Sequence, residues 1–106
     1  MKSDRMDKVN ELVKKQLAEE VLDLFPDEII GVTGVEVSRD LSVAKVWVAS
    51  GQKSDKAAEL LNQSSNLLMH SLSQELVMRR MPRLHFVPDK AGLAADHIDK
   101  LLKSIE

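Results

Sequence analysis

A chain of 106 residues, 43% of them hydrophobic, is the size of one domain with one core, and we expect residues 1–106 to form that single domain. The 15 basic and 17 acidic residues give a net charge of −2, which excludes a large positive field, so any nucleic-acid-binding surface must be local. Cysteine is absent, which excludes disulfides, thiolate nucleophiles and thiolate metal sites. No apolar run approaches the roughly 20 residues of a membrane helix and the first residues do not resemble a signal peptide, so we expect a cytoplasmic protein.

The first predicted element is an amphipathic helix from Asp4 to Leu24, capped by Ser3 or Asp4 and ended by Pro26. Its apolar residues recur at helical spacing, at Val9, Val13, Leu17 and Val21. Basic residues dominate its first half, whereas acidic residues gather at its end and in the loop beyond, at Glu19, Glu20, Asp23, Asp27 and Glu28. Because an acidic helix end is unfavourable for the helix dipole, these carboxylates either serve a partner or only solvate the loop.

Two β-strands are predicted next, Ile29–Ser38 and Leu41–Ala49, joined by a turn at Ser38-Arg39-Asp40. Gly31 and Gly34 indicate a bulge or a close backbone approach near the start of the first strand. Successive side chains of a strand point to opposite faces, so a set of small apolar residues shares the face toward the core: Val35, Val37, Ala44, Val46 and Val48.

The other face of this hairpin carries Lys45 and Trp47, and a sheet with one apolar and one polar face usually has helices on the first and leaves the second open. A long helix follows, with Ser54 or Asp55 as its cap and Met78 as its expected end. Polar residues at positions 62–66 interrupt its apolar pattern, so we expect a kink or a break there.

Pro82 forces the chain out of helical geometry, and Leu84–Val87 is predicted to be a short third strand with Leu84 and Phe86 facing the core. After Asp89 a last helix is predicted, with its apolar face at Ile98, Leu101, Leu102 and Ile105. Helices and strands in this order predict an α+β layer, with helices on one face of a three-stranded sheet.

Two stretches of the chain resemble the most recognisable parts of the bacterial ribosome-binding factor A family: VEVSRDLSVAKVWVA at residues 35–49 and MRRMPRLHFVPD at residues 78–89. The similarity extends from the first helix to the last. It implies an α+β, KH-like fold of type II topology with the order α-β-β-α(kink)α-β-α. It also implies that the kinked helix pair replaces the GxxG loop. The chain departs from the family pattern at Asn66, Met69 and Ala95.

The resemblance implies a function as well. Members of this family are assembly factors and not enzymes; they bind the small (30S) ribosomal subunit and assist late 16S rRNA processing and maturation. The implied partners are therefore the small ribosomal subunit and its 16S rRNA, with no membrane, no small-molecule substrate and no cofactor. The absence of a heptad seam favours a monomer.

A first candidate RNA-binding cluster surrounds the end of the second helix and the third strand, at Arg79, Arg80, Arg83 and Lys90. A guanidinium pairs with a phosphate through two hydrogen bonds, so three arginines in a short bend predict a phosphate-binding edge. The alternative is a solvated junction in which the cations offset the dipole at a helix end.

Arg39 on the turn, with Lys45 and Trp47 on the open face, forms the second candidate RNA-binding cluster. An aromatic side chain beside basic ones can stack an unpaired base while they hold its backbone. Alternatively, Trp47 packs beneath the end of the first or last helix. A third basic set on the first helix could contact RNA along its length, although a solvated face is the commoner role: Arg5, Lys8, Lys14 and Lys15.

The spacing of the histidines His70, His85 and His97 matches no metal motif and no pairing of a nucleophile with a base, so we expect no catalysis and no bound metal. Two functions remain open. The first is an RNA-binding assembly factor, whose binding weakens as salt is raised. The second is a protein-interaction adaptor without RNA binding, which uses Trp47 as an anchor and the acidic residues 19–28 to steer its partner.

Overall fold

The computed structural model describes residues 5–89, which form three helices and three strands. In chain order these are α1 (Arg5–Leu24), β1 (Gly31–Val37), β2 (Val43–Ala49), α2 (Ser54–Gln63), α3 (Ser65–Glu75) and β3 (Arg83–Pro88). The predicted order of elements is confirmed over this range. The predicted last helix, the predicted contact Lys90 and the capping residues Ser3 and Asp4 lie outside the described residues. None of the three described helices combines the length and the apolarity needed to cross a membrane.

The three strands form one mixed sheet in the order β1-β2-β3. β1 is antiparallel to β2, with Val35 opposite Val46, and β2 is parallel to β3, with Val46 opposite Phe86. A shift of register between Val32 and Gly34 confirms the bulge predicted from the two glycines of β1. A parallel pair requires a crossover connection, which here contains α2 and α3.

The core lies between one face of the sheet and the helices. Val46 and Phe86, which are neighbours on adjacent strands, are 0% and 1% exposed. The other core residues come from all six elements: Val13, Leu17, Val21, Val35, Val37, Ala44, Val48, Ala57, Ala58, Leu61, Leu68, Leu72 and Leu84. Every strand residue predicted to face the core is among them, so the face assignment and the packing of helices on one face are confirmed.

The opposite face of the sheet is polar. Lys45 lies between Glu36 on β1 and His85 on β3, and both Lys45 and His85 are exposed. Trp47 lies on the same strand face as Lys45, yet it is only 7% exposed and does not belong to the core cluster named above. The Nζ atom of Lys45 lies 5.0 Å from the centroid of the Trp47 ring, which is a cation–π contact.

The predicted kink in the long helix is confirmed as a break at Ser64, which has φ −105° and ψ 14°. Its backbone N–H donates to the carbonyl oxygens of Leu60 and Leu61, each at 3.1 Å, and its own carbonyl accepts the N–H of Leu68 at 3.0 Å. The chain therefore passes directly from α2 into α3. No glycine lies at this junction, and the one G-x-x-G sequence of the chain, residues 31–34, lies in β1.

The predicted cap of the second helix is wrong. Lys53 occupies the cap position and makes no side-chain hydrogen bond to the helix. The Ser54 hydroxyl instead accepts the N–H of Ser50 at 2.9 Å and donates to the carbonyl of Gly51 at 3.1 Å. Ser54 thus stabilises the preceding loop, which is the competing local role of a serine hydroxyl.

Three predicted boundaries also differ from the structure. β1 begins at Gly31, and the side chain of Ile29, where the strand was expected to start, is 88% exposed. β2 begins at Val43 because Leu41 has φ 62° and belongs to the turn. α3 ends at Glu75 because Leu76 adopts extended backbone angles, φ −117° and ψ 136°.

One side chain covers part of the outer edge of β3. On the β2 side of β3, the N–H of Arg83 donates to the carbonyl of Ser42 and the N–H of Asp89 donates to the carbonyl of Val48. The backbone groups of successive strand residues point alternately to the two sides of a strand, so those of Phe86 point away from β2. Asn62, near the end of α2, accepts the N–H of Phe86 through Oδ1 and donates from Nδ2 to its carbonyl, both at 2.8 Å. Its amide therefore takes the place of a neighbouring strand at that residue.

Candidate nucleic-acid interface

The turn between β1 and β2, residues 38–42, is built around one carboxylate. Oδ1 of Asp40 accepts hydrogen bonds from the hydroxyls of Ser42 and Ser38, at 2.7 and 2.8 Å, and from the N–H of Ser42 at 3.0 Å. The Ser38 hydroxyl in turn accepts the N–H groups of Ser42 and Val43, each at 3.1 Å. The donors surround the carboxylate from both sides of the turn, so they fix its position.

Leu41 completes this turn in a conformation that L-residues avoid, with φ 62°. Its N–H donates to the carbonyl of Ser38 at 2.9 Å, and its half-buried side chain packs against the core. Packing and the Asp40 network thus offset a backbone cost of roughly 1–2 kcal/mol. The result is a turn with one defined shape, which projects Arg39 into solvent.

A groove of about 630 Å³ forms where this turn meets the start of α1 and the connection between α3 and β3. Four of its lining residues are arginines that come from three separate parts of the chain: Arg5, Arg39, Arg79 and Arg80. Met6, Val9, Asp40 and Leu41 line the remainder. We call this surface the arginine groove.

Positive charge dominates the arginine groove. All four arginines are exposed, and none of them forms an ion pair with another residue in the range 5–89. Hydrogen bonds from Ser42 and Ser38, together with the nearby Arg80 guanidinium, lower the pKa of Asp40 from 3.8 to about 2, so this carboxylate is ionised at neutral pH. Among the described residues Asp40 is the one carboxylate in the lining, which leaves these residues with an excess of three positive charges.

A second groove, of about 370 Å³, lies beside the arginine groove, where the junction of α2 and α3 faces β2 and β3. Its lining includes two basic side chains, Arg83 and His85, and the polar residues Ser65 and Asn66. The N–H of Arg83 donates to the carbonyl of Ser42 at 3.0 Å, so the second groove begins where the Asp40 turn ends. We call it the β3 groove.

The structure divides the predicted RNA-binding residues between these two surfaces. It brings Arg39 together with Arg79 and Arg80 in the arginine groove, although they are about 40 residues apart in sequence. Arg83 lies in the β3 groove, and Lys45 lies next to His85 on the open face. Lys90 is outside the described residues.

Trp47 is buried in the structure. At 7% exposure its ring offers little area to an unpaired base, and it serves Lys45 as a cation–π platform. The sequence pattern placed Trp47 on the correct face of β2 but did not reveal this burial.

Arg5, which the sequence pattern groups with a separate basic set, lies in the arginine groove. The sequence contained one signal of a functional role for Arg5. A cation in the first turn of a helix is unfavourable for the helix dipole, so its presence there needs another explanation. Of the rest of that set, Lys8 and Lys15 are exposed and Lys14 is half-buried, all on α1.

The described histidines do not form a catalytic or metal-binding cluster. His70 is exposed on α3, where its Nε2 lies 3.2 Å from the side-chain nitrogen of Gln74, and His85 is exposed on β3. Within residues 5–89, no group of three or more metal-ligating side chains converges. His97 lies outside this range.

A mixed three-stranded sheet, covered on one face by α1 and the broken helix pair α2 and α3, defines a small α+β domain of the KH-like class. Its exposed surface carries local positive charge on a chain whose net charge is −2.

Comparison with known proteins identifies the family. The family model "Ribosome-binding factor A" matches residues 5–102, and the chain belongs to this family. It is 36% identical over 105 residues to ribosome-binding factor A of Alkalilimnicola ehrlichii, covering 92% of this chain and 81% of the relative. The crystal structure of ribosome-binding factor A from Thermus thermophilus is 30% identical and superposes with a TM-score of 0.76, covering 83% of this chain and 100% of that one.

A further similar structure consists of coordinates of the Thermus thermophilus factor fitted into a cryo-EM map of its complex with the 30S subunit. It is 34% identical to this chain, with a TM-score of 0.64, and the match covers 74% of this chain and 88% of that chain.

Proposed function

We propose that this protein is a single-domain, cytoplasmic assembly factor that binds the small (30S) ribosomal subunit and assists the late processing and maturation of its 16S rRNA, without catalysing a reaction itself. The observation that carries the proposal is the arginine groove, where four guanidinium groups converge that form no ion pair with another residue in the range 5–89. The similar Thermus protein that was fitted into a 30S complex supports the same partner.

Like charges that are held close together repel one another. Mutual repulsion of four guanidinium groups around one groove destabilises the folded state unless an anion is bound there. Acidic residues are numerous in this chain, with 17 in all, yet Asp40 is the one acidic residue between positions 5 and 89 that lines the groove. RNA phosphates are the anions that match such a surface, because each guanidinium can hold a phosphate through two hydrogen bonds.

The charge on α1 supports one orientation on the RNA. Arg5 is the first residue of α1, whereas the exposed Glu19 and Asp23 lie near its last turn. Because a helix rises by about 1.5 Å per residue, these two carboxylates are far from Arg5 along the helix axis. The acidic loop residues Asp27 and Glu28 follow. We infer that the arginine groove faces the RNA and that this acidic end faces away from it.

The alternative, a protein-interaction adaptor anchored by Trp47, has less support. An anchor must insert its side chain into a partner, and Trp47 is 7% exposed. The two cation-bearing grooves and the exposed Lys45 favour RNA over an apolar protein surface.

Co-sedimentation with purified small subunits over a range of salt concentrations tests the proposal. Replacing Arg79 and Arg80 together by Ala removes two cations from the arginine groove. If each holds one phosphate, the slope of log affinity against log salt becomes less negative by roughly 0.7–0.9 per arginine. A matched control replaces Lys53 and Lys56, two exposed cations that lie outside both grooves, by Ala. Equal affinity of the double-arginine variant and the wild type, with both folded, contradicts the proposal.

A further inference from the structure

Trp47 is more deeply buried than its position in the sheet accounts for. It lies on the open face of β2, on the same side as the exposed Lys45, yet it is only 7% exposed. The core residues that α1, α2 and α3 contribute cluster on the other face of the sheet, with Val46 and Phe86, and Trp47 does not belong to that cluster. The three described helices therefore do not cover the indole ring.

The neighbours of Trp47 within the sheet account for only part of this burial. Gly34, which is opposite Trp47 on β1, has no side chain, and Val87, its neighbour on β3, is itself half-buried. The Nζ atom of Lys45 lies 5.0 Å from the ring centroid, so this side chain can cover one face of the indole. Neighbours on adjacent strands shield the edges of a side chain, whereas nearly complete burial of an indole needs atoms that lie on top of the sheet.

The chain leaves the described range directly beside Trp47. The N–H of Asp89 donates to the carbonyl of Val48 at 2.7 Å. The Thr33 hydroxyl donates to Oδ2 of Asp89 at 2.6 Å and lies 3.3 Å from the carbonyl oxygen of Trp47. Asp89 is thus fixed at the end of the sheet next to Trp47, and residues 90–106 begin there.

Residues 90–106 carry the apolar side chains that such a cover requires. Their sequence predicts an amphipathic helix whose apolar residues recur at i, i+3, i+4 and i+7: Ile98, Leu101, Leu102 and Ile105. Most of the stability of a short amphipathic helix comes from packing of its apolar side against another element. The core face of the sheet is already occupied by α1, α2 and α3, whereas the open face offers Trp47 and Val87.

We propose that residues 90–106 dock on the open face of the sheet, where the apolar side of their predicted helix covers Trp47. The exposure of 7% is that of one isolated chain, so neither a second copy nor a bound RNA is needed to account for it. The docked segment leaves the exposed Lys45 and His85 at the margin of the same face. RNA can then reach these two side chains but not the tryptophan ring. The docking itself does not depend on the proposed function.

Intrinsic fluorescence tests this docking, because the chain contains one tryptophan and no tyrosine. Replacing Leu101 and Leu102 together by Gln in the full-length protein removes two leucine side chains from the apolar side of the segment. The loss of two buried leucines should weaken the docking by on the order of 100-fold. We expect the emission of Trp47 to shift to longer wavelength and its quenching by acrylamide to increase.

The matched control replaces Lys100 and Lys103, on the opposite side of the same predicted helix, by Gln. Glutamine has a helix propensity close to those of leucine and lysine, so neither pair of changes should act through the helix itself. The control should keep the emission and the quenching of the wild type. Both variants should keep a cooperative urea transition, because the helices and strands of residues 5–89 bury a core of their own.

A measurement on the wild type tests the docking whether or not the leucine variant folds. Nuclear Overhauser effects should connect the indole protons of Trp47 with methyl groups of Ile98, Leu101, Leu102 or Ile105. Absence of all these effects overturns the docking, as does equal fluorescence of the folded leucine variant and the wild type, or an equal shift in the leucine and lysine variants. A Trp47 ring that becomes accessible when the wild type is diluted assigns the cover to a second copy and overturns the docking as well.

Discussion

Replacing Asn62 by Ala tests how the edge of the sheet is stabilised. The Asn62 amide makes two hydrogen bonds of 2.8 Å to the backbone of Phe86. Alanine removes both hydrogen bonds, so the N–H and the carbonyl of Phe86 lose their partners. The Asn62 side chain that is removed is half-buried. A buried polar group left without a partner costs about 1–3 kcal/mol. Phe86 is 1% exposed, but removal of the half-buried Asn62 amide opens the sheet edge to water, which places the cost for each of these two groups at the lower end of that range.

We therefore expect Asn62→Ala to lower the free energy of unfolding by about 2 kcal/mol. For a domain of this size that corresponds to a fall in Tm of roughly 8–16 °C. Alanine is also a better helix former than asparagine by about 0.6 kcal/mol, which partly hides the loss. Asn66→Ala is the matched control, because Asn66 is exposed on α3 and makes no hydrogen bond in the described structure.

Urea unfolding followed by circular dichroism gives both free energies, and their difference removes most of the helix-propensity effect. Asn66→Ala should be neutral or slightly stabilising. Asn62→Ala should also aggregate more readily, since the edge of β3 is then open at Phe86 to pairing with another chain. Equal stability of the two variants would refute the reasoning, because it would mean that the two hydrogen bonds contribute nothing.

Substitutions at three other positions test the core, the turn and its carboxylate. Val46→Asp should unfold the protein, since Val46 is 0% exposed and the new charge has no partner; a melting curve like that of the wild type would invert the assigned faces of β2. Leu41→Ala should be less stable than Leu41→Gly by roughly 1 kcal/mol, because both lose the side chain but only glycine accepts φ 62° without strain; the reverse order would exclude that strain. Folding lowers the pKa of Asp40 from 3.8 to about 2, so the stabilising contribution of this carboxylate is complete above pH 4 and is lost as the pH falls toward 2. The urea midpoints of the wild type and Asp40→Asn should therefore converge over that pH interval. Midpoints that stay the same distance apart would contradict this.

Over residues 5–89 the sequence was sufficient to predict the order of the helices and strands and the faces of the strands. Alternating residues such as Val46 and Val48 assigned the core face of β2, and the polar run at positions 62–66 located the break at Ser64. These patterns involve residues that are close together in the sequence, so they can be recognised without knowledge of the tertiary structure. Predicted boundaries failed where a single backbone angle decided them, as at Leu41.

The candidate site could be predicted only in part. Local clustering indicated Arg79 and Arg80, but the groove is completed by Arg5 and Arg39 from other parts of the chain. Such contacts arise from the packing of α1 against the sheet, and no periodicity in the sequence encodes them. The same limit applies to Trp47, whose burial depends on the neighbours around it and not on its place in the strand.

Sedimentation of a cell lysate on a sucrose gradient tests the central claim most directly. The protein and its Arg79→Ala, Arg80→Ala variant are each detected across the fractions, with the Lys53→Ala, Lys56→Ala protein as the control for the change in charge. We expect the wild type and the control to migrate with free small subunits and to be depleted from translating ribosomes, and the double-arginine variant to shift to the top of the gradient. A wild type that stays at the top, or a double-arginine variant that still migrates with small subunits, would contradict an RNA-binding factor that acts through the arginine groove.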